Sequence, residues 1–469
     1  MESYDFLVIG GGSAGYAAAR TARALGKRVA IVEGARDLGG LCILRGCMPS
    51  KTLLHPADIL HHARHSEALG LRGKEVRLDM KALQEWKRKV IEEFATDRRQ
   101  ALESGEYALY RSYARFVGPD RVELADGTQL RAERIFVGTG SKPNVPDLPG
   151  LAETPFWTSD EVLELDFVPS SVIVLGGGPI ACEFAQFLDR IGSKVTLIQR
   201  GEHLVKEYSP AAAEVIEAAL RQESVEVHTG THIVEISAPG KGVRVKFRQG
   251  DAVLIREAQY LFNALGRSAN LDGLGLDAAG IEVSEGRIQV NAWQQTTNER
   301  VYAGGDVSGP HDVVHLAVAQ GELAAKHAFG QSGLEPIDAD QRLSVVFTDP
   351  PLASLGRTKA DLEARGVEFF AASYPFADHG KSILMNAKAG FVKILADAAT
   401  GRLLGAEIVG VQGDSLIHCL SGPLAMKATV RDLLKAPWYH PTLAEILTYP
   451  LEEIAGKLTG NQTSSITVA

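Results

Sequence analysis

Residues 5–33, DFLVIGGGSAGYAAARTARALGKRVAIVE, decide the fold, because they read as an apolar strand, a glycine turn, a helix and a second apolar strand. The turn has the spacing Gly10-x-Gly12-x-x-Gly15. Glycines at these positions permit a tight turn and bring backbone N–H groups and a helix N-terminus up to a pyrophosphate. The stretch therefore predicts a βαβ unit that binds a dinucleotide.

The same pattern occurs a second time in residues 171–199, SVIVLGGGPIACEFAQFLDRIGSKVTLIQ. Each landmark lies 166 residues after its counterpart, so that Gly176, Gly178 and Ala181 repeat the spacing of the first turn. One GxGxxG is weak in a chain with 48 glycines, but two copies that each follow a strand and open a helix are strong. We infer two dinucleotide sites; the alternative is a pair of βαβ units that carry glycine by coincidence.

The two copies differ where their second strands end. Glu33 can accept hydrogen bonds from ribose hydroxyls, as in FAD or NAD sites. The equivalent residue of the second copy is Gln199, which is neutral and is followed by Arg200. A carboxylate there would repel a ribose 2′-phosphate, whereas this pair tolerates or attracts one. The second site therefore favours NADPH or at least does not exclude it, unless Arg200 is an ordinary solvated charge.

Composition excludes several classes of protein. The chain has 469 residues, enough for about three domains, and its 45% hydrophobic and 23% charged residues are typical of a globular protein. A net charge of -9 weighs against nucleic acid as a partner. No apolar run is long enough to span a bilayer, and the opening MESYDFLVIGGG lacks the basic region of a signal peptide. These features predict a cytoplasmic protein with no membrane partner.

Two of the four cysteines, Cys42 and Cys47, lie close together in GGLCILRGCMPSK, residues 39–51. No CxxC is present and Cys182 and Cys419 lie in unrelated apolar contexts, where we expect core positions, so we predict no metal site. A helix that begins near Cys47 would stabilise a thiolate at its N-terminus. Beside a flavin, a disulfide between the two could accept two electrons and pass them by thiol exchange. The alternative from the residues alone is two unpaired buried thiols.

Together these motifs resemble the FAD-dependent pyridine nucleotide–disulfide oxidoreductases, a family that includes dihydrolipoamide dehydrogenase, glutathione reductase and mercuric reductase. The resemblance covers essentially the whole chain. Six ordered motifs carry it: GGGSAG near the N-terminus, GGLCILRGCMPSK, VGTGSKPNVPDLPG at 137–150, GGGPIACEFA at 176–185, VYAGGDV at 301–307 and WYHPTLAE at 438–445.

The resemblance implies a role for each matched residue. Cys42 would be the interchange thiol that meets the substrate, and Cys47 would lie against the flavin and form the charge-transfer contact. Lys51 would pair with Glu183 near the flavin N5. His440 and Glu445 would be an acid–base dyad in which histidine has a pKa suited to proton transfer in both directions. In this family the histidine comes from the partner subunit, which implies a homodimer.

The resemblance also assigns cofactor-binding residues. For FAD they are Gly10, Gly12, Gly15, Glu33, Thr139, Gly140 and Asp306. For NAD or NADP they are Gly176, Gly178, Ala181, Gln199, Arg200 and Gly266.

The expected fold is α/β, with two Rossmann-like dinucleotide-binding domains, one for FAD and one for NAD(P), and a C-terminal α+β dimerisation domain. We expect the FAD domain in two parts, residues 1–145 and 268–340, because GGDV must return to the flavin. Residues 146–267 would hold the NAD(P) domain. Residues 341–469 would form the interface across a two-fold axis.

Within the family, PSK at 49–51 resembles the lipoamide and mercuric branches, and the end TSSITVA lacks the cysteine pair of mercuric reductases. The sequence therefore favours a dihydrolipoamide dehydrogenase-like enzyme that acts on a lipoyl-type or small-molecule dithiol. The alternative is an NADPH-dependent reductase of another disulfide, quinone or metal; a slow-turnover redox sensor would not need the dyad. Four departures from the family pattern, Gln199, Pro179, Leu44 and Arg45, bear on that choice.

Overall fold

A computed structural model describes residues 1–72, 76–309 and 311–458. Residues 73–75, Pro310 and residues 459–469, which include the TSSITVA end, lie outside the described residues. Within the described ranges no helix combines the length and the apolar character that a membrane crossing requires.

The strands of the described residues are β1 (Glu2–Ile9), β2 (Val29–Val32), β3 (Ala108–Tyr110), β4 (Ala114–Gly118), β5 (Arg121–Leu124), β6 (Gln129–Val137), β7 (Ser141–Pro143), β8 (Ser171–Leu175), β9 (Lys194–Ile198), β10 (Glu226–His228), β11 (Thr231–Ser237), β12 (Val243–Gln249), β13 (Ala252–Ala258), β14 (Tyr260–Asn263), β15 (Arg267–Ala269), β16 (Val283–Ser284), β17 (Arg287–Ile288), β18 (Val301–Ala303), β19 (Leu343–Val346), β20 (Leu352–Gly356), β21 (Phe369–Pro375), β22 (Phe391–Asp397) and β23 (Leu403–Val409).

The α-helices are α1 (Ser13–Ala24), α2 (Gly40–Arg45), α3 (Cys47–Arg64), α4 (Met80–Leu102), α5 (Ser159–Leu163), α6 (Pro179–Ile191), α7 (Pro210–Gln222), α8 (Val314–Ala328), α9 (Lys359–Ala364), α10 (Gly380–Leu384), α11 (Gly413–Leu416), α12 (His418–Ala425), α13 (Val430–Leu434) and α14 (Thr448–Leu458). Short 3₁₀ turns occupy Glu67–Leu69, Leu276–Ala279, Ala339–Gln341, Phe376–Asp378 and Ala444–Leu447.

The first sheet is built around the first βαβ unit. Its order is β3-β2-β1-β6-β5-β4, and β18 also pairs with β6. The strands β1, β2, β3, β6 and β18 run parallel, while β4 and β5 form an antiparallel extension. Because β18 joins this sheet from far along the chain, the GGDV segment that follows it lies at the same edge as the Gly10 turn.

Small residues let the helices approach this sheet closely. The buried face of α1 consists largely of alanine, and α8 packs on that face. A Cβ on Gly321 of α8 would overlap the carbonyl oxygen of Ala14, so the two helices touch backbone to backbone. This close contact fixes α1, and with it the turn that precedes α1, against the sheet.

The second βαβ unit forms a smaller parallel sheet in the order β10-β9-β8-β14. Helix α6 begins at Pro179, whose fixed φ suits a first helical position, and ends at Gly192 in the left-handed conformation. An antiparallel sheet, β11-β12-β13, packs alongside. The repeated strand–turn–helix–strand pattern thus folds twice into the same local structure.

The C-terminal part is an antiparallel sheet, β19-β20-β23-β22-β21, against which α12 and α14 pack. Its core is a cluster of buried aliphatic and aromatic side chains drawn from these strands and helices. The α/β fold class with two dinucleotide-binding units and a C-terminal α+β unit is therefore confirmed. The domain limits at residues 145, 267 and 340 stay predictions.

A buried arginine joins these parts of the molecule. The side chain of Arg190 on α6 is 2% exposed and pairs with Asp58 of α3 at 2.6 Å, Glu223 at 2.6 Å and Asp349 at 2.9 Å. These carboxylates belong to the helix that follows Cys47, to the second βαβ region and to the C-terminal part, respectively. We call this group the Arg190 cluster; it holds the helix that carries Cys47 against the rest of the chain.

Candidate active site

The two neighbouring cysteines lie on consecutive helices. Cys42 lies on α2, and Cys47 is the first residue of α3, as the helix start near Cys47 predicts. Gly46 connects the two helices, and a Cβ there would lie only 3.0 Å from the carbonyl oxygen of Leu41. This tight connection brings the two thiols together, where the proton of Cys42 can be shared with Cys47. No disulfide joins Cys42 and Cys47 in this structure.

The electrostatics of the pair distinguish the two thiols. The hydrogen bond from Cys42, reinforced by the charge of Lys51, lowers the pKa of Cys47 to about 7. The same hydrogen bond, together with burial, raises the pKa of Cys42, because ionising Cys42 would break the bond. The reduced pair therefore carries its negative charge on Cys47 and keeps a proton on Cys42.

Lys51 and Glu183 form the ion pair beside Cys47. Lys51 lies one turn further along α3, and its Nζ donates to Glu183 Oε2 at 2.8 Å. Glu183 is 3% exposed on α6, and its Oε1 accepts from the backbone N–H of Phe347 at 2.9 Å. The Lys51 ammonium also lies 4.5 Å from the centre of the Phe347 ring. Both oxygens of the carboxylate are thus satisfied, which a buried charge requires.

His440 and Glu445 are also brought together. Nδ1 of His440 lies 2.9 Å from Glu445 Oε1 and 3.0 Å from Oε2, so the carboxylate accepts from the ring and fixes its orientation. The imidazole is 75% exposed and the carboxylate 20%. Among the described residues no hydrogen bond or ion pair links this dyad to the cysteine pair of the same chain.

The first glycine turn has the shape that a bound pyrophosphate needs. Gly10 has φ +98°, and a Cβ on Gly15 would overlap the carbonyl oxygen of Gly10. Helix α1 begins after Gly12 with no side-chain cap on its first N–H groups, which therefore face outward toward a ligand. Glu33 Oε2 accepts from the N–H of Gly11 at 2.8 Å and so holds the second strand end against the turn.

The other residues assigned to FAD lie along the same edge of the sheet. Thr139 Oγ1 donates to the carbonyl of Asn270 at 2.8 Å, and Gly140, with φ +69°, accepts from Asn270 N–H at 2.9 Å. Asp306 Oδ2 accepts from Ser141 Oγ at 2.6 Å, and burial raises the pKa of this carboxyl group. The edge therefore carries both the glycine cradle and polar groups that suit a nucleotide with a ribityl chain.

Sequence reasoning missed the partners of Asp306. Ser141 bonds the carboxylate, and Arg267 donates through Nε to Ser141 Oγ at 2.8 Å. Ser141 directly follows Gly140, and Arg267 directly follows Gly266, so adjacency to an assigned residue is the only signal in the sequence.

The second glycine turn repeats the geometry of the first. Gly176 has φ +118°, Gly178 is the uncapped residue before α6, and Ala181 is fully buried where the first copy has its third glycine. Gly266, with φ +92°, follows the end of the neighbouring strand β14. Pro179 puts an exposed pyrrolidine ring at the helix start, so no aromatic side chain projects from that position.

The strand end of the second copy carries no acid. The amide oxygen of Gln199 accepts from the N–H of Arg200 at 3.1 Å, so the side chain folds back on its own backbone. Arg200 is exposed and, within the described parts of the chain, its guanidinium makes no ion pair. This leaves a positive charge at the position where a ribose 2′-phosphate would need one.

Of the two predictions about the burial of the other cysteines, one is confirmed and one is wrong. Cys182 is fully buried, as expected, but Cys419 is exposed, so the expectation of a core position for Cys419 is wrong. Its neighbours Ile417 and Leu420 take the inward face of that helical segment instead.

In the described residues no group of three or more His, Cys, Asp or Glu side chains could hold a metal ion. Leu44 packs against Gly39, and Arg45 forms a 3.4 Å ion pair with Asp160.

Comparisons with known proteins agree with this arrangement. Residues 4–321 match the family described as pyridine nucleotide-disulphide oxidoreductase, and residues 343–450 match the dimerisation domain of the same family. Dihydrolipoyl dehydrogenase from Thermus scotoductus is 35% identical over 97% of this chain and 98% of its own length. Mercuric reductase from Bacillus cereus is 33% identical over 94% of this chain and 70% of its own length.

Among solved structures, the HOCl-induced flavoprotein disulfide reductase RclA from Escherichia coli has a similar fold. It superposes with a TM-score of 0.84 at 26% identity, over 96% of this chain and 99% of RclA.

Proposed function

The chain belongs to the pyridine nucleotide-disulphide oxidoreductase family, whose members use FAD and NAD(P)H, and from this premise we propose that it oxidises a lipoyl-type dithiol through Cys42 and Cys47. The observation that carries the proposal is the juxtaposition of Cys42 and Cys47, which lie on consecutive helices joined tightly by Gly46. A proton on Cys42 and a thiolate on Cys47 are what a pair needs if one sulfur exchanges with substrate and the other delivers electrons.

The exchange step balances without further reactants. A substrate thiolate attacks Cys42 of the oxidised pair, which forms a mixed disulfide and releases Cys47 as a thiolate. The second substrate thiol then displaces Cys42, so that the substrate leaves as a disulfide and the cysteine pair holds two electrons. His440 of the partner subunit takes the proton from the attacking thiol and returns it to Cys42. Glu445 holds Nδ1 of His440, which leaves Nε2 for that transfer.

The glycine cradle before α1, Glu33 and Asp306 would hold FAD, and the turn before α6 would hold the nicotinamide nucleotide. When bound, FAD supplies a two-electron carrier between the cysteine pair and the nucleotide. Lys51 and Glu183 keep a compensated charge pair beside Cys47, so the thiolate is stabilised without a net charge buried next to it.

The proposed enzyme is a cytoplasmic homodimer. The matched dimerisation domain supports the homodimer.

Dihydrolipoamide is the substrate of choice because similarity to the dihydrolipoyl dehydrogenase extends over nearly the full length of both proteins. A second candidate, an NADPH-dependent reductase of another disulfide, quinone or metal, is favoured by one observation. Gln199 and Arg200 place a neutral amide and a free positive charge where an NAD site would have an acid.

Steady-state kinetics separate the two candidates. We expect rapid oxidation of dihydrolipoamide with NAD⁺, and slow reduction of oxidised glutathione or Hg²⁺ with either nucleotide. A preference for NADPH together with no activity on dihydrolipoamide or lipoamide would replace the lead proposal with the second. Gln199→Glu is the matched variant: it should weaken NADPH binding, because the new charge repels the 2′-phosphate, and it should maintain or strengthen NADH binding, because a carboxylate there can accept hydrogen bonds from the ribose hydroxyls.

The Cys42→Ser variant tests the exchange thiol itself. It should retain FAD and its reduction by NAD(P)H, because Cys42 faces the substrate rather than the nucleotide, and it should lose turnover of any dithiol or disulfide. Cys419→Ser is the control, since Cys419 is exposed on α12 in the C-terminal part and is expected to leave turnover intact. Retained dithiol turnover in Cys42→Ser would exclude Cys42 as the exchange thiol.

A further inference from the structure

One charged group near the cysteine pair has no role in the proposed chemistry. The guanidinium of Arg98, on α4, interacts electrostatically with Cys42 and lowers the pKa of that thiol slightly against the larger opposing effects. Among the described residues no carboxylate pairs with Arg98, and its Nη1 is buried without a hydrogen-bond partner. The next residue, Arg99, is different: it is bound to Glu92 at 3.2 Å on the exposed side of α4.

The fold directs Arg98 toward Cys42. The last turn of α4 lies over the first glycine turn, where the Leu102 side chain is the neighbour of Gly11. One turn earlier, Arg98 stacks on the ring of Tyr16, with Cζ 4.0 Å from the ring centre. Helix α4 also packs against α2, which carries Cys42. The aromatic ring and the two helices therefore hold the guanidinium in one orientation beside the exchange thiol.

An arginine in this position needs an anion. Partial burial lowers the pKa of Arg98, which reflects the cost of holding the charge away from water. The contact with the Tyr16 ring offsets only part of this desolvation cost, since a ring face is a weak partner for a cation. Arg20 lies nearby, but it pairs with Glu322 at 2.7 Å and brings no anion to Arg98. A planar guanidinium with an unused N–H is a geometric match for a carboxylate, which it can bind through two parallel hydrogen bonds.

We propose that Arg98 is a specificity-determining residue that binds a carboxylate of the dithiol or disulfide substrate, within a few bonds of the sulfur that meets Cys42. This inference rests on the proposed function, because it assumes exchange at Cys42. It adds a charge preference to that exchange: a dithiol or disulfide that carries a carboxylate near its sulfur would bind better than a neutral one of similar size. The guanidinium would be satisfied only when such a substrate is bound.

The test compares two small disulfides in the direction of disulfide reduction by NAD(P)H. In dithiodiglycolate a single methylene separates each sulfur from a carboxylate. Hydroxyethyl disulfide is a neutral molecule of similar length. In Arg98→Gln we expect KM for dithiodiglycolate to rise about tenfold or more, which is the loss of one charge-assisted pair. KM for hydroxyethyl disulfide should stay unchanged. Arg98→Lys should fall between, because it keeps the charge but not the paired N–H groups.

Arg99→Gln is the matched control and should leave both KM values unchanged, since its partner is Glu92. Bound FAD, measured by absorbance per chain, should be the same in all variants. Three outcomes would overturn the Arg98 proposal: equal loss with both disulfides, loss of FAD, or no change in the KM ratio. If the wild type turns over neither disulfide, the Arg98 inference falls, while exchange at Cys42 falls only if dihydrolipoamide is not oxidised either. If turnover depends on Cys42 but not on Arg98, only the present inference falls.

Discussion

Replacing Lys51 by methionine should raise the pKa of Cys47. The positive charge of Lys51 acts on that thiol and contributes to its lowered pKa of about 7. Removing Lys51 also leaves the Glu183 carboxylate without its cation partner. The negative charge of Glu183 raises the pKa of Cys47, so it adds to the effect of the substitution. A neighbouring opposite charge shifts a pKa by about one to three units. Because the Lys51 side chain is 34% exposed, solvent screening places the effect at the lower end. We therefore expect about one unit, which corresponds to ~1.4 kcal/mol.

The measurement is the rate of alkylation of Cys47 by iodoacetamide in the reduced protein, followed by peptide-resolved mass spectrometry across pH. The wild-type midpoint should lie near 7 and the Lys51→Met midpoint near 8. Lys51→Arg keeps the charge and should keep the low midpoint. The double variant Lys51→Met with Glu183→Gln separates loss of the cation from exposure of the anion. An unchanged midpoint in Lys51→Met would refute the electrostatic assignment.

The same shift has a consequence for stability. The folded-state pKa of Cys47 lies below the value of an unfolded cysteine, about 8.5. The thiolate therefore stabilises the fold fully above that unfolded value, and this contribution is lost as pH falls through the folded pKa near 7. In Lys51→Met the two values approach each other, so the pH dependence of unfolding between them should flatten.

Three further variants probe the dyad, the cradle and the interior. Glu445→Gln should lower disulfide turnover about 10²-fold, because it removes the charge that orients and stabilises protonated His440, while flavin reduction by NAD(P)H stays unchanged; slowing of both half-reactions would contradict this. Gly15→Val should abolish FAD retention, measured by absorbance per chain, because its side chain would overlap the carbonyl of Gly10; a normal flavin content would rule out the cradle. Arg190→Met should cost about 3 kcal/mol in urea unfolding, because it removes the arginine partner of the buried Glu223 carboxylate, and an unchanged midpoint would show that the Arg190 cluster carries no net stability.

The features that the sequence predicted well are local. The two glycine turns, with their strands and helices, are set by residues within about thirty positions of each other, where spacing alone fixes the geometry. The start of α3 at Cys47 is local in the same sense. The pairing of Lys51 with Glu183, separated by 132 residues, came only from the family resemblance, since nothing near either residue indicates its partner.

Long-range packing accounts for what the sequence did not predict. Arg98 looks like any charge on a polar helix, and only the approach of α4 to Tyr16 and Cys42 distinguishes it from Arg99. Cys419 lies in a largely apolar segment, but the orientation of this short helix turns Ile417 and Leu420 inward and Cys419 outward. Apolar context reports the composition of a segment, whereas burial depends on which face of the segment the rest of the chain covers.

The exposure of His440 in a single chain likewise depends on which surface another part of the assembly covers, here a second subunit. An imidazole whose orientation is fixed by Glu445, yet whose ring is 75% exposed, has an ordered Nδ1 and an outward Nε2 with no partner in its own chain among the described residues. Holding a side chain in one orientation costs conformational entropy, which the contact with Glu445 offsets. Cys42, for its part, has a proton to exchange and, within the described chain, a cation but no base beside it. In the proposed homodimer, a two-fold contact that brought the outward ring of one subunit to the thiol of the other would supply each group with what it lacks. On this argument the arginine beside Cys42 and the histidine opposite it would face the same substrate, one selecting its charge and the other moving its proton.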